Sequence, residues 1–225
     1  MIALTRRSAL AHRAPLATPD GTAGLKEVPF EGKLILRGSL AKIGGALTGV
    51  LGTALPGKVM ETSTGPRAVA QWLSPDEWLL VTAPGAEAAL IRDLEAALAG
   101  IHAQVVDVSD YYTTIALSGG HAREMLMKIA TVDFDARVFK AGMGVTTNLG
   151  RTNPWLRATS DNSFAIIIRI SMADYLWCLL AEAGHEWGLP DVAPKGSGVT
   201  LHLPHFEAES ALAASRDPAP PPELS

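Results

Sequence analysis

A single cysteine, Cys178, excludes an intramolecular disulfide and any cysteine-rich zinc site. That usage fits a reducing compartment, and the protein is expected to be cytoplasmic. No apolar run reaches the roughly 20 residues that span a bilayer. Even residues 164–170 are strand-length and include Arg169, so a soluble protein that does not engage membranes is expected. The net charge of −4 supplies no basic field for nucleic acid or anionic lipid, which leaves small solutes or proteins as partners. No Gly-x-Gly-x-x-Gly follows a strand-like segment, so a dinucleotide-binding fold is unsupported. What the chain has in quantity is apolar: 48% hydrophobic against 19% charged over 225 residues, ample for one large or two small domains with buried cores.

The clearest local signal is WLSPDEWLLV at residues 72–81, in which two tryptophan-bearing apolar runs flank a polar turn. Pro75 presets φ for the turn, and Ser74 and Asp76 can bond to nearby backbone amides. Pairing across it is expected to set Leu73 opposite Trp78 and Trp72 opposite Leu79.

Periodicity around this hairpin predicts a strand at 33–38, a glycine-diluted helix at 40–51, strands at 69–73 and 78–82, an amphipathic helix at 86–98 and a strand through 104–108. That order is β-α-β-β-α-β, the split βαβ pattern. It then begins again, with a strand at 113–117, a helix at 122–129, strands at 145–149 and 164–170, and a closing helix at 171–187. Ser171 and Asp174 are read as a capping box at the start of that last helix. The expected fold class is therefore α+β with two split-βαβ, ferredoxin-like halves, at about 29–110 and 111–189. Residues 1–28 carry Arg6, Arg7 and Arg13 and are expected to form a mobile or partner-docking arm. Residues 190–225, rich in proline and alanine, are expected to be a tail in which 199–203 could add as a strand to a sheet edge.

No catalytic constellation is evident. Residues 52–58 resemble a phosphate-binding loop, but Val59 stands where Ser or Thr would hold magnesium, and a helix precedes the loop where a strand is required. The stretch is read instead as a helix end at Gly52. Val59 and Met60 look like a strand. His202 and His205, with Glu207 and Glu209 nearby, are ligand-type residues, yet Pro204 prevents a helix from aiming both imidazoles together and nothing completes a shell. They are read as solvated, and no metal site is assigned. His102 and His121 stand alone, and His185 suits the end of the last helix. Cys178, between Trp177 and Leu179 with no basic neighbour in sequence, is read as a small core residue. Asp107 and Asp110 precede Tyr111 and Tyr112, a combination that could present a carboxylate and aromatic rings to a flat heterocycle; the alternative is that Asp110 forms a turn and the tyrosines cover a sheet edge. Arg151, Trp155 and Arg157 belong to an irregular segment with hot-spot composition.

With these residues assembled, the sequence resembles the gamma subunit family of heterotetrameric sarcosine oxidase, related in fold to the folate-binding N-terminal part of the glycine-cleavage aminomethyltransferase. The carriers are TRRSALAH at 5–12, PFEGKLILRG at 29–38, VLGTALP at 50–56, WLSPDEWLL at 72–80, VDVSD at 106–110 and RISMADYLW at 169–177. The resemblance implies a noncatalytic, assembly subunit of an enzyme that oxidatively demethylates sarcosine to glycine and passes the one-carbon unit to tetrahydrofolate. It implies alpha, beta and delta subunits as partners, with FAD, FMN and NAD held by the large chains, zinc by the delta chain and no cofactor in this one. Asp110 and Tyr111 would line a pterin-like pocket, and Arg6, Arg7, Tyr111, Tyr112, Arg151, Trp155 and Arg157 would contact other subunits. The Tyr111-Tyr112 pair, the polar 151–157 segment and the extra tail depart from the family. They leave open an N-methylglutamate dehydrogenase subunit, a stand-alone folate-binding aminomethyl-transferring protein, or a regulatory module on the same fold.

Overall fold

The computed structural model describes residues 6–190 and 192. The chain order is β1 Leu16–Ala17, β2 Gly24–Val28, β3 Gly32–Gly38, α1 Leu40–Leu51, β4 Thr62–Thr64, β5 Val69–Ser74, β6 Glu77–Thr82, α2 Glu87–Ala97, β7 Ala103–Asp107, β8 Tyr112–Ser118, α3 Ala122–Ile129, β9 Gly144–Thr146, β10 Trp155–Ser160, β11 Ser163–Arg169 and α4 Ala173–Ala183. Helix α1 forms in spite of Gly44, Gly45 and Gly49 because Ile43, Leu47 and Leu51 repeat at four-residue spacing on one face, all fully buried. It ends where the sequence reading places it. Gly52 has φ 70 and its N–H donates to the Thr48 carbonyl, while an added Cβ would meet Pro66 at 2.6 Å.

The first sheet has the order β4-β5-β6-β3-β7 with antiparallel neighbours. Alternation along its strands serves two cores at once. Leu34, Leu36, Trp78 and Leu80 pack with Ile43 and Leu47 of α1 and with Leu90 and Leu94 of α2. Ile35, Leu79 and Val81 point the other way, toward Tyr112, Trp155 and Ile167 of the second sheet. The second sheet, ordered β1-β2-β8-β11-β10-β9, carries α3 and α4 on its far face around Ile115, Leu117, Phe164 and Ile166. Helices thus cover the two outer faces and a thinner apolar layer joins the sheets. This is the expected α+β architecture of two split-βαβ halves.

Five local expectations are corrected. Residues 1–28 are not simply an arm: β2 pairs along β8 from Gly24↔Ser118 to Val28↔Thr114, and Leu10 and Leu25 are buried in the second core. The second half thus takes the strand beside β8 from the beginning of the chain. The five-residue strand GLKEV, with two adjacent charges, is too short to register as a periodic run. In the hairpin, Ser74 lies opposite Glu77, but a bulge at Leu73 shifts the rest, so Trp72 pairs with Trp78 and Gln71 with Leu79. The irregular segment ends in a strand, β10, paired with both β9 and β11. The Ser171–Asp174 capping box is absent: a 3-10 turn, Ile170–Met172, leads into α4 without a side-chain cap. Val59 and Met60 lie outside any strand, β4 beginning at Thr62. The tail readings at His202, His205 and 199–203 lie outside the described residues.

Gly119, between β8 and α3, has φ 117, and an added Cβ would lie 2.3 Å from the Thr22 carbonyl oxygen. That contact lets the turn preceding β2 sit against the α3 start. Gly119→Ala is expected to lower stability by about 1–2 kcal/mol, from positive-φ strain and displaced backbone. The midpoint of denaturant unfolding measures it.

Candidate functional site

The chain crosses between the sheets at two places, Pro29–Glu31 between β2 and β3 and Val108–Tyr111 between β7 and β8. The crossings are stitched together. The Lys33 N–H donates to Ser109 Oγ at 2.9 Å, and the Val108 N–H donates to the Lys33 carbonyl at 2.9 Å. Asp107 shapes the turn by accepting from the Ser109 N–H at 2.9 Å and from Ser109 Oγ at 2.5 Å. Asp107, rather than Asp110, is therefore the turn-forming acid.

Beside these crossings lies a cleft of about 400 Å³, lined in part by Arg6, Arg7, Phe30, Asp110, Tyr112 and Ile170. The Asp110 carboxylate stands out into solvent and is paired with the Arg6 guanidinium. That guanidinium also lies 4.6 Å over the Phe30 ring. The acid that could recognise a heterocycle is thus already engaged by the chain's own arginine, and with Arg7 the cleft carries excess positive charge.

The two tyrosines diverge. Tyr112 turns between the sheets and meets the Trp155 ring at 4.4 Å. Tyr111 stays 55% exposed, edge-on to Tyr112 at 5.1 Å, with the Arg169 guanidinium 5.7 Å from its ring. Ile170, 48% exposed, completes an apolar rim to the cleft. Of the residues singled out from sequence, Arg6, Arg7, Asp110, Tyr111 and Tyr112 come together. Trp155 is partly buried in the layer joining the sheets, and Arg157 lies further along the same face of β10. Arg151 is elsewhere, in the turn after β9, where its N–H donates to the Tyr175 hydroxyl.

A second constellation escaped sequence reading. Asp174, at the start of α4, accepts from Arg13 Nε at 2.7 Å and Nη2 at 3.0 Å, and lies 2.8 Å from His12 Nε2. Burial would raise its pKa, but the bonds from Arg13 and His12 outweigh that and hold the carboxyl below the usual range. Arg13 Nη2 also lies 3.4 Å from Cys178 Sγ. Cys178 therefore does have a basic neighbour, although burial still pushes its thiol pKa up. The partners are 161 residues apart in the chain, so only the arginine-rich opening segment hinted at the clamp.

Among the described residues, no group of three or more His, Cys, Asp or Glu side chains is placed to share a metal ion.

Residues 39–186 match the sarcosine oxidase, gamma subunit family. The sarcosine oxidase subunit gamma of Arthrobacter sp. is 32% identical over 193 residues, covering 84% of this chain and 94% of that protein. Among solved structures, a chain of the heterotetrameric sarcosine oxidase from Corynebacterium sp. U-96, in complex with pyrrole 2-carboxylate, superposes with a TM-score of 0.75 at 31% identity, covering 84% of this chain and 99% of that chain. The glycine cleavage system aminomethyltransferase T of Bartonella henselae matches with a TM-score of 0.55 at 19% identity, over 73% of this chain and 45% of that one, and shares the fold. The family match over residues 39–186 and the 32% identity across 84% of the chain agree: this chain belongs to the sarcosine oxidase gamma subunit family.

Proposed function

We propose that the chain is the gamma subunit of a heterotetrameric sarcosine oxidase, working in assembly while the chemistry is done on other subunits. The carrying observation is the likeness over almost the whole length of the Corynebacterium subunit. In this reading the alpha and beta subunits hold FAD, FMN and NAD, the delta subunit holds zinc, and sarcosine is demethylated to glycine with the one-carbon unit passed to tetrahydrofolate. The rim of Tyr111 and Ile170 beside Arg6 and Arg7 has the make-up of a docking surface, with exposed apolar anchors framed by guanidinium groups.

Co-expression with the neighbouring large subunits, followed by purification on a tag carried by this chain, tests the proposal. Yellow chains with sarcosine-dependent flavin reduction are expected to co-purify. A colourless lone protein that binds folate would instead favour a stand-alone aminomethyltransferase-like role. Reduction by N-methylglutamate in place of sarcosine would assign the related dehydrogenase.

The Tyr111→Ala, Ile170→Ser double variant is expected to weaken assembly at least about tenfold, as loss of central anchors does, without lowering the melting temperature of the isolated chain. Unchanged assembly would move the interface elsewhere. Trp155 and Tyr112 are unsuitable for this test, because their partly buried rings pack against the apolar layer joining the sheets and their loss would also disturb the fold.

A further inference from the structure

The face of the second sheet turned away from α3 and α4 is only partly covered by the first sheet. Beyond Trp155, Ile167 and Thr114 the strands lie open, and the register sets one row across four of them: Lys26 opposite Ala116, Ala116 opposite Ala165, and Ala165 opposite Arg157. The two central strands thus present only methyl groups, both partly exposed, while a long cation rises at each end. The row covers three strand spacings, about 14 Å. The result is an alanine-floored trough of about 410 Å³, a volume suited to a small molecule. Ser163, Thr159 and Thr114 add hydroxyls to its lining.

The charges of the trough do not balance. Its acid, Glu31, accepts from Thr114 Oγ1 at 2.6 Å and lies 3.8 Å from the ammonium of Lys33, a residue with no exposed surface. Glu31 is therefore the counter-charge of a buried lysine. Arg157 feels the field of Glu31, but neither Arg157 nor Lys26 makes a hydrogen bond or ion pair with another described residue. The half-buried Arg157 guanidinium has no protein acceptor among the described residues and none of its nitrogens is fully enclosed, so its N–H donors are open to an anion in the trough. Its planar fork matches a carboxylate.

We propose that this trough binds a small dicarboxylate of about succinate size, with one carboxylate on the Arg157 guanidinium, the other on the Lys26 ammonium, and the carbon chain over Ala116 and Ala165. Two unpartnered cations on opposite walls select a ligand with two anionic ends, and the methyl floor accepts its apolar middle. The site is separate from the cleft at Asp110 and does not depend on the assembly role.

Titration calorimetry of the full chain with succinate, acetate and sodium chloride at matched ionic strength tests it. Succinate is expected to bind saturably with one site per chain, acetate at least about tenfold more weakly, since it engages one cation only, and chloride without a saturable signal. Arg157→Gln is expected to weaken succinate binding about tenfold or more, and Arg157→Lys nearly as much through loss of the fork. Lys26→Gln, on the exposed wall, is expected to weaken it severalfold while leaving the melting temperature of the ligand-free chain unchanged. Because Lys26→Gln keeps the fold, it remains informative if the Arg157 variants are unstable. Succinate heats no different from chloride, or binding unaltered by Lys26→Gln, would overturn the proposal.

Discussion

Arg123→Met is expected to destabilise the protein by about 3–5 kcal/mol, the scale of breaking a buried charged hydrogen-bond network. Arg123 lies on α3 and is only 7% exposed. Among the described residues it makes no salt bridge. Its Nη1 donates to the carbonyls of Phe134 at 2.6 Å and Phe139 at 2.8 Å, its Nε donates to the Asp161 carbonyl at 2.8 Å, and its plane lies 5.3 Å from the Phe164 ring. The guanidinium thereby ties the long connection after α3 to the β10–β11 turn. Phe134 and Phe139, both fully buried, enter the core only while that connection is held. Methionine would fill part of the volume but leave three carbonyls without a donor, each costing about 1–3 kcal/mol if it stays buried. Lysine would not rescue, since one ammonium cannot reach carbonyls on both sides. A shift in the denaturant midpoint equivalent to less than about 1 kcal/mol would show that the connection holds without the arginine.

The second large effect is expected at Asp174. Asp174→Asn should cost about 2–4 kcal/mol at neutral pH, because a partly buried carboxylate with two bonds from Arg13 and a contact to His12 becomes a neutral amide facing a cation. Arg13 has only 6% of its side chain exposed, so losing this carboxylate removes a charge-assisted pair from a covered site. Since the folded carboxyl has a depressed pKa, its contribution is complete above the unfolded carboxyl value of about 3.9 and is lost as pH falls through the lower folded value. The gap in melting temperature between the natural protein and Asp174→Asn should therefore be full from about pH 5 upward, begin to narrow below about pH 4 and close only as pH passes below the folded value. A gap that stays constant from neutral pH down to about pH 3 would place the effect in packing rather than charge. This clamp holds residues 12 and 13 onto α4, so its release should also loosen Arg6 from Asp110 and alter the cleft beside Tyr111.

Most helices and the longer strands were legible in the apolar pattern alone. Helices α1 and α3 have the boundaries that apolar spacing predicts, because each shows one clean stripe at helical period. Strands β3, β6, β8 and β11 were legible for the corresponding reason, with alternation or an apolar run ended by turn residues. The family, too, was readable from the order of short motifs, and the match over residues 39–186 agrees with it.

Which distant segments meet was settled by long-range packing. The strand beside β8 comes from residues 24–28, where a short charged strand gains stability from partners close to a hundred positions away in the chain and so leaves little local signal. Asp174 reads as a helix cap in sequence, yet a bidentate arginine from the opening segment offers it more than a cap would. Asp110 and Arg6 are likewise joined across 104 residues, and the trough between Lys26 and Arg157 exists only through the register of four strands. Local propensity reports what one segment does with its own neighbours. Ion pairs and sheet rows are set by long-range closure, and no spacing along the chain encodes them directly.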